Sequence, residues 1–237
     1  YKSNFFIERG FFGKMIWNIF LKNFYYKASS GILFSPYGNY LGSFKPFVSM
    51  SQNMLLYEQK ERKRFGMNVI RLKLFISSII QNFSIRKSNG VIFLSQYART
   101  LITNNLNIHS KNSKIIHFGI DQTFFKRSKP QNPIKKYTLN NPFKLLYVST
   151  VFPYKHHENV VKAVGKLKSK GYPISLSLVG GGDKKLINRL KKTMLKQDPE
   201  SSYINFVGNV CHKEIIKYYH NSDAFIFASS CENMPNI

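Results

Sequence analysis

The feature that most constrains the fold is a regular alternation of strand-like and helix-like segments in the second half of the chain. Short apolar runs such as "FKLLYVS", "PISLSLV" and "YINFVG" alternate with longer segments of helical periodicity such as "HENVVKAVGKLKSKG" and "DKKLINRLKKTMLKQ". This alternation is typical of βαβ units, in which helices cover both faces of a parallel sheet. The sequence therefore predicts an α/β fold, with Asp183 capping one of the helices.

The first half of the chain repeats the pattern less regularly. "GILFSP", "PFVSM", "GVIFLS" and "SKIIHFGID" predict strands, and "QYARTLITNN" predicts a helix. A second helix is predicted over residues 69–87, with a packing face formed by Ile70, Leu74, Ser77, Ser78 and Gln81. Residues 13–26 predict an amphipathic helix that either packs in a core or lies at a membrane surface.

A proline-rich stretch separates the two halves. Residues 125–142 contain three prolines and many polar residues, which is typical of a linker. We therefore expect two Rossmann-like domains with parallel sheets, an N-terminal one over residues 1–135 and a C-terminal one over residues 136–237.

The chain is strongly basic, and the excess is concentrated in its first part. There are 36 Lys and Arg against 11 Asp and Glu, and 22 of the basic and 4 of the acidic residues precede residue 141. The positive electrostatic potential of such a chain favours binding of polyanions, which include nucleic acid, an anionic membrane surface and phosphorylated ligands. A biased base composition of the genome is an alternative source of the lysines.

Cysteine usage and hydropathy set further bounds. Cys211 and Cys231 do not form the framework of a disulfide-rich or zinc-binding protein, and they fit a reducing compartment. No stretch approaches about 18 uncharged apolar residues, so no transmembrane helix is predicted.

Three positions carry candidate chemistry. Gly180, Gly181 and Gly182 follow a predicted strand and precede a helix, where backbone amides can face a phosphate, although a plain tight turn explains them equally well. Lys155 opens a helix just after a strand and could bind a diphosphate, or it could be one more solvated lysine. Glu232 follows the last predicted strand, in a chain with few carboxylates.

Taken together, these segments resemble glycosyltransferase family 4, a family of retaining enzymes with the GT-B fold. The resemblance is carried by "IIHFGIDQTFF", "LLYVSTVFPYKHHENVVKAV", "LSLVGGGDKKLINRL" and "INFVGNVCHKEIIKYYHNSDAFIFASSCENMP", in the family's order and spacing, across about residues 115–237. It extends more loosely to "VSMSQNMLLYE" and "GVIFLSQYARTLI".

The resemblance implies roles for individual residues. Glu232 matches the first glutamate of the family's E-x7-E motif and is the expected catalytic residue, near the donor sugar. Lys155 matches the lysine that contacts the donor diphosphate. The remaining expected donor-binding residues are Ser149, Thr150, Gly180, Gly182, Asn233, Met234 and Pro235. Ser149 and Thr150 stand where relatives carry an arginine after a glycine.

On the acceptor side, Gln52 and Asn53 fall where many relatives carry an active-site histidine. The implied reaction is transfer of a hexose from a nucleotide-diphosphate sugar to a glycan or lipid-linked acceptor, with retention of configuration. No metal and no tightly bound cofactor is expected. The resemblance further implies polysaccharide biosynthesis in the cytoplasm, peripheral contact with the anionic inner face of the plasma membrane, and a longer parent enzyme, without which residues 1–237 are expected to be inactive.

Two other functions stay open at this point. A basic nucleic-acid-binding protein would fit the charge, although no nucleic-acid-binding motif is present and no nucleic acid partner is expected. A GT-B nucleotide-sugar epimerase would fit the same segments without transferring a sugar.

Overall fold

The computed structural model describes residues 31–108, 112–125 and 130–235. The chain divides into two compact units, the first formed by residues up to 118 together with residues 232–235, and the second by residues 119–231. The helix predicted over residues 13–26 lies outside the described residues.

The first unit is built on a four-stranded parallel sheet in the order β1-β2-β3-β4. Its strands are β1 (Leu33–Ser35), β2 (Phe47–Ser51), β3 (Gly90–Phe93) and β4 (Ser113–Ile115). The connections contain the helices α1 (Gln59–Lys63), α2 (Val69–Lys87) and α3 (Gln96–Leu106). The four predicted strands and the two predicted helices of this part are therefore present.

Side-chain caps fix where the two long helices of this unit begin. The Asn68 side chain accepts a hydrogen bond from the Arg71 N–H before α2, and the Ser95 hydroxyl accepts one from the Ala98 N–H before α3. Each cap satisfies a main-chain donor that has no partner inside its helix. Asn107 adopts a left-handed conformation (φ 52°) and ends α3.

The inner face of α2 is largely polar. Ser78, Gln81 and Ser84 are buried there, and Ile85 is the buried apolar residue beside them. The Gln81 amide donates to the Tyr37 carbonyl at 3.0 Å. Burial of Ser78 and Gln81 agrees with the predicted packing face, but Ile70 is 40% exposed and does not belong to it.

The charged segment after β2 is less exposed than its composition suggests. Within "EQKERKRFG" the chain forms α1, and Glu61 is buried, 2.6 Å from the Arg64 guanidinium. The ion pair compensates for the loss of water around the carboxylate. Glu61 is therefore a buried, paired group within an otherwise mostly exposed charged segment.

The second unit has its own parallel sheet, in the order β7-β6-β5-β8. Its strands are β5 (Phe143–Val148), β6 (Ile174–Val179), β7 (Ile204–Gly208) and β8 (Ala224–Phe225). Its helices are α4 (His157–Ser169), α5 (Lys184–Gln197) and α6 (His212–Asn221). The α/β class with two sets of parallel strands is confirmed.

Strand β5 is buried on both faces, which explains its continuous apolar run. Leu145 and Tyr147 pack with the residues of α4 and α5 that face the sheet, whereas Leu146 and Val148 pack with the α6 side. The Asp183 side chain accepts from the Lys185 N–H at 2.9 Å, so the predicted cap of α5 is present.

The two compact units divide at residues 118 and 119. The domain bounds at residues 135 and 136 stay a prediction. Phe124, in a 3-10 turn over Gln122–Phe124, packs edge-on against His212 and Tyr219 of α6, with ring centroids 5.3 and 6.3 Å apart. Tyr137 also donates to the Asp223 carboxylate at 3.3 Å. Tyr137, within the segment expected to be a linker, is thus attached to the second unit, and so is Phe124 just before that segment.

Among the described residues, no helix is long and apolar enough to span a membrane.

Candidate functional site

The candidate donor site of the second unit lies at the carboxyl ends of its parallel strands. Ser149 and Thr150 follow β5, the three glycines 180–182 follow β6, and residues 226–231 follow β8. Because parallel strands of one sheet end at the same edge, these segments meet there. This edge is the usual position of a ligand site in an open α/β sheet.

The glycine turn packs directly on the loop after β5. The Gly180 backbone has a φ of +131°, and a Cβ atom built on it would lie 2.1 Å from the Ser149 carbonyl oxygen. A Cβ on Gly182 would lie 2.9 Å from the Cβ of Val151. The Val151 N–H donates to the Gly181 carbonyl at 2.7 Å. The glycines are therefore required by close backbone contact, which a plain turn would not demand.

Lys155 is only 8% exposed and is not a solvated surface lysine. It ends a 3-10 turn over Pro153–Lys155, and its Nζ lies 5.3 Å from the centroid of the Tyr154 ring and 5.1 Å from that of Phe227. Its main-chain carbonyl accepts a hydrogen bond from the Tyr147 hydroxyl. The ammonium group is thus held between two aromatic faces directly before α4.

The amino-terminal end of α4 has no side-chain cap. His156, the residue before the helix, has a φ of +55° and makes no capping hydrogen bond, whereas the start of α5 is occupied by the Asp183 carboxylate. The first main-chain N–H groups of a helix attract anions. Of these two helix ends, the one beside Lys155 is therefore the better suited to a phosphate.

His157, the first residue of α4, is buried against β5. Its ring stacks on Tyr147 with centroids 4.5 Å apart. Burial lowers the pKa of His157 to about 4, the Ser149 main chain opposes this, and the nearby Lys155 cation lowers the pKa further. The imidazole is therefore neutral near pH 7, and Lys155 is the cationic side chain of this pair.

The loop after β8 is attached to the loop after β5. The Ser230 N–H donates to the Tyr154 carbonyl at 2.9 Å, and the Ser230 hydroxyl lies 2.8 Å from Nε2 of His156. These contacts hold Ser230 close to the residues around Lys155. Ser230 and His156 carried no signal in the sequence, because serines and histidines of this kind are common in loops.

Residues 232–235 belong to the first unit, where Asn233 is the best-anchored of them. Its side-chain N–H groups donate to the Ser51 carbonyl at 3.0 Å and to the Gln52 carbonyl at 3.4 Å, and its side-chain oxygen accepts from the Ser95 hydroxyl at 2.8 Å. Asn233 thus contacts the ends of β2 and β3. Sequence reasoning did not find Ser95, whose only visible signal was its position before a predicted helix.

The other predicted site residues of the first unit have varied surroundings. Glu232 and Gln52 are partly buried. The Asn53 side chain accepts from the Leu55 N–H at 3.0 Å and so caps the 3-10 turn over Met54–Leu56. The Met234 sulfur accepts from the Phe118 N–H at 3.2 Å. Pro235 is exposed.

No group of three or more His, Cys, Asp or Glu side chains that could hold a metal ion occurs in the described part of the chain.

The geometry agrees with comparisons to known proteins. Residues 128–236 match the family described as "Glycosyl transferases group 1". An uncharacterised glycosyltransferase of Methanocaldococcus jannaschii is 28% identical over 160 residues, which are 67% of this chain and 39% of that protein.

Solved structures share the architecture. HepE from Anabaena, in complex with UDP-glucose, has a TM-score of 0.56 at 18% identity, over 78% of this chain and 47% of HepE. A variant of S. aureus TarM, in complex with fondaparinux, α-GlcNAc-glycerol and UDP, has a TM-score of 0.61 at 15% identity, over 86% of this chain and 38% of TarM. The fold is GT-B.

The comparisons show a GT-B fold, as the sequence predicted, and a similarity of residues 128–236 to group 1 glycosyl transferases. The chain spans less than half the length of each of these relatives.

Proposed function

We propose that the protein of which this chain forms part transfers a hexose from a nucleotide-diphosphate sugar to a glycan or lipid-linked acceptor, with retention of configuration. The group 1 match over residues 128–236 and the UDP or UDP-glucose bound in relatives of the same fold support the donor class. The α-GlcNAc-glycerol in the TarM complex supports a hydroxyl-bearing acceptor.

The observation that carries the proposal is the position of Lys155. A buried cation stands beside the uncapped start of α4 and next to a glycine turn that brings main-chain groups close together. Sugar transfer leaves a nucleoside diphosphate whose negative charge grows as the glycosidic bond breaks. A fixed ammonium and helix N–H groups stabilise this charge without reorganising, and they do so more in the transition state than in the ground state.

The other donor residues take supporting roles. Gly180 and Gly182 allow the loops after β5 and β6 to pack closely together, and the main chain of this turn contacts the nucleotide. Thr150 supplies hydroxyl and amide donors where relatives carry an arginine, whereas the Ser149 N–H and hydroxyl already donate to the Val179 and Thr150 carbonyls. Ser149 therefore shapes the loop, and Lys155 is the principal cation for the diphosphate. No tightly bound cofactor takes part, and the nucleotide sugar is a substrate.

The loop over residues 232–235 serves the sugar. Glu232 accepts hydrogen bonds from hydroxyl groups of the donor hexose and orients it, and Asn233, Met234 and Pro235 shape the loop. Gln52 and Asn53 lie on the acceptor side, where an amide can hydrogen-bond a sugar hydroxyl.

The acceptor is an intermediate of polysaccharide biosynthesis, and it is carried on a lipid at the cytoplasmic face of the plasma membrane. The support is the basic charge of the first part of the chain, which favours an anionic surface. The N-terminal domain is the acceptor side, and the C-terminal domain binds the nucleotide sugar.

Saturation-transfer NMR of the chain with UDP, GDP and a short RNA tests the proposal. We expect signal transfer to at least one of the two nucleoside diphosphates, and its loss in Lys155→Met, which keeps an apolar stem between the Tyr154 and Phe227 rings. The matched control is Lys166→Met on the exposed side of α4, which should bind like the parent chain. Binding of RNA but of neither nucleotide would overturn the donor site and favour a nucleic-acid-binding function.

A further inference from the structure

Helix α2 of the first unit presents its apolar side to solvent. Its buried residues are mostly polar, and a continuous stripe on the opposite side is exposed, from 39% for Ile76 to 66% for Val69. The stripe consists of Val69, Leu72, Ile76, Ile79 and Phe83, with Phe75 beside it. The spacing of three and four residues keeps these side chains on one face over about four turns.

The orientation of α2 is fixed by its polar side. Gln81 donates to the Tyr37 carbonyl and accepts from the Ser51 hydroxyl, and Ser84 accepts from the Tyr40 N–H at 3.2 Å. A Cβ atom on Gly38 would lie 2.9 Å from the Gln81 amide nitrogen, so the helix fits closely against this loop. Turning the apolar stripe inward would break these buried hydrogen bonds. The packing of this unit therefore requires the apolar stripe to face away from the sheet.

The charged residues of α2 and of the sequence that follows it, as far as residue 120, are all basic. Helix α2 contains four basic residues and no acidic one, and no Asp or Glu occurs from residue 62 to residue 120, against ten Lys and Arg. On the helix surface, Lys73 and Lys87 border the stripe on one side and Arg86 on the other. The Lys87 ammonium lies 4.8 Å from the centroid of the Phe83 ring, with its stem along the apolar surface.

An open groove of about 770 Å³ continues this surface at the start of α2. Its walls combine cations with apolar side chains, among them Arg62, Lys63, Arg71, Met67, Leu72 and Phe75. The Arg62 guanidinium carbon lies 5.9 Å from the Phe75 ring centroid. A groove with this lining can take a phosphate group at its cationic wall and an acyl chain at its apolar wall.

We propose that the α2 face is a membrane-docking surface, in which the apolar stripe enters the interface of an anionic bilayer while the flanking cations and the groove bind phospholipid headgroups. A helix whose exposed large apolar residues are accompanied by basic residues and by no acidic one on the same helix matches both layers of such an interface. This proposal rests on the proposed function in one respect: the α2 face would bring the enzyme to a lipid-linked acceptor.

Two other binding partners of the α2 face fit its positive charge less well than a membrane does. A second copy of the chain would bring one basic face against another. Residues 1–30 carry five basic residues and one acidic residue, so they add positive charge to this face rather than neutralise it. Neither occupant offers the anionic groups that the cations around the stripe require.

The test is flotation of the chain with vesicles of phosphatidylcholine alone and with vesicles containing 30% phosphatidylglycerol, without donor or acceptor. We expect at least ten-fold stronger binding to the anionic vesicles. The double variant Phe75→Ser with Ile79→Ser should reduce this binding at least ten-fold. Its matched control, Tyr172→Ser with Leu195→Ser, removes two comparably exposed apolar residues of the second unit and should change binding less than two-fold.

A charge variant separates the two parts of the surface. Lys73→Gln, Arg86→Gln and Lys87→Gln together should weaken binding to anionic vesicles and flatten its salt dependence. Lys184→Gln, Lys185→Gln and Lys192→Gln, on exposed positions of α5, remove the same charge and should have little effect. Equal losses in both triple variants would mean that only net charge matters and would contradict a defined surface.

Several results would overturn the proposal. These are absence of vesicle binding, loss of a dimer in Phe75→Ser with Ile79→Ser, binding that appears only when residues 1–30 are deleted, and binding to a short RNA that exceeds vesicle binding. Nucleotide binding measured on the same samples separates this surface from the donor site. Vesicle binding without UDP or GDP binding would leave the surface standing and refute the proposed function.

Discussion

Gly180 lies so close to Ser149 that a Cβ atom on the glycine would be 2.1 Å from the serine carbonyl oxygen. This contact joins the carboxyl ends of two neighbouring strands and shapes the edge of the sheet at which Lys155 is held. The candidate donor site therefore depends on backbone packing as much as on its side chains.

Replacing Gly180 by alanine should lower the free energy of unfolding of the second unit by about 3 kcal/mol or more, through backbone overlap added to an unfavourable φ. Gly171→Ala is the matched control, because Gly171 has a φ of +85° but nothing within 4 Å of the added methyl group. The Gly171→Ala variant should lose only about 1 kcal/mol of its free energy of unfolding. Urea unfolding of both variants measures the difference, and equal losses would refute the close contact.

Neutral His157 should make stability depend on pH. Its pKa is about 4 in the folded chain and near 6.5 when unfolded, so the unfolded state binds the proton first as the pH falls. The stabilising contribution of neutral His157 is therefore fully present above about pH 6.5 and is lost as the pH falls toward 4. Between pH 7 and 5 we expect a loss of about 2 kcal/mol from this group.

The variant His157→Phe, which keeps a ring against Tyr147, should remove this part of the pH dependence in denaturant unfolding. His220→Phe on α6 is the control and should retain it. An unchanged slope in His157→Phe would mean that the imidazole is not held neutral by burial.

Asn233 should anchor its loop to the first unit. Asn233→Ala removes the hydrogen bonds to the Ser51 carbonyl and the Ser95 hydroxyl, and should lower the free energy of unfolding of that unit by about 1–2 kcal/mol. Hydrogen exchange should rise at residues 232–234 and remain unchanged around β6. Pro235→Ala, at an exposed neighbouring position, is the control, and the same change in both variants would contradict an anchoring role.

Glu232 should act on the donor sugar. In the complete enzyme, Glu232→Ala should reduce turnover at least about 100-fold, the scale seen when a group that stabilises the transition state is lost. It should also reduce discrimination between donor sugars, because the carboxylate holds a sugar hydroxyl. Turnover with paired UDP-hexoses that differ at one hydroxyl measures both effects. Unchanged selectivity with lost rate would instead assign Glu232 to another step.

Much of the fold was predictable from local pattern. The strand and helix alternation, the Asp183 cap and the buried Ser78 and Gln81 on α2 follow from periodicity and capping rules, which act over a few residues. The apolar run "AFIFASS" could form a longer strand than β8, which comprises only Ala224 and Phe225. An apolar run shows the capacity to form a strand but not how much partner strand lies beside it.

The site was only partly predictable, for a related reason. Lys155 and the glycines were visible because they follow strands, but burial of Lys155 depends on Phe227, far along the chain. The roles of Ser95 and Ser230 depend on hydrogen bonds to distant segments, and the pairing of Glu61 depends on the local turn of α1. The residue types alone do not indicate such contacts.

The most direct measurement of the central claim is the affinity of the chain for UDP and GDP by titration calorimetry, with Lys155→Met and Lys166→Met compared under identical conditions. We predict that the parent chain and Lys166→Met bind the same nucleotide equally, and that Lys155→Met binds it at least about ten-fold more weakly, as expected for loss of a charge-assisted contact with a diphosphate. Equal affinity in all three chains, or no binding of either nucleotide by the folded parent chain, would contradict the proposed donor site.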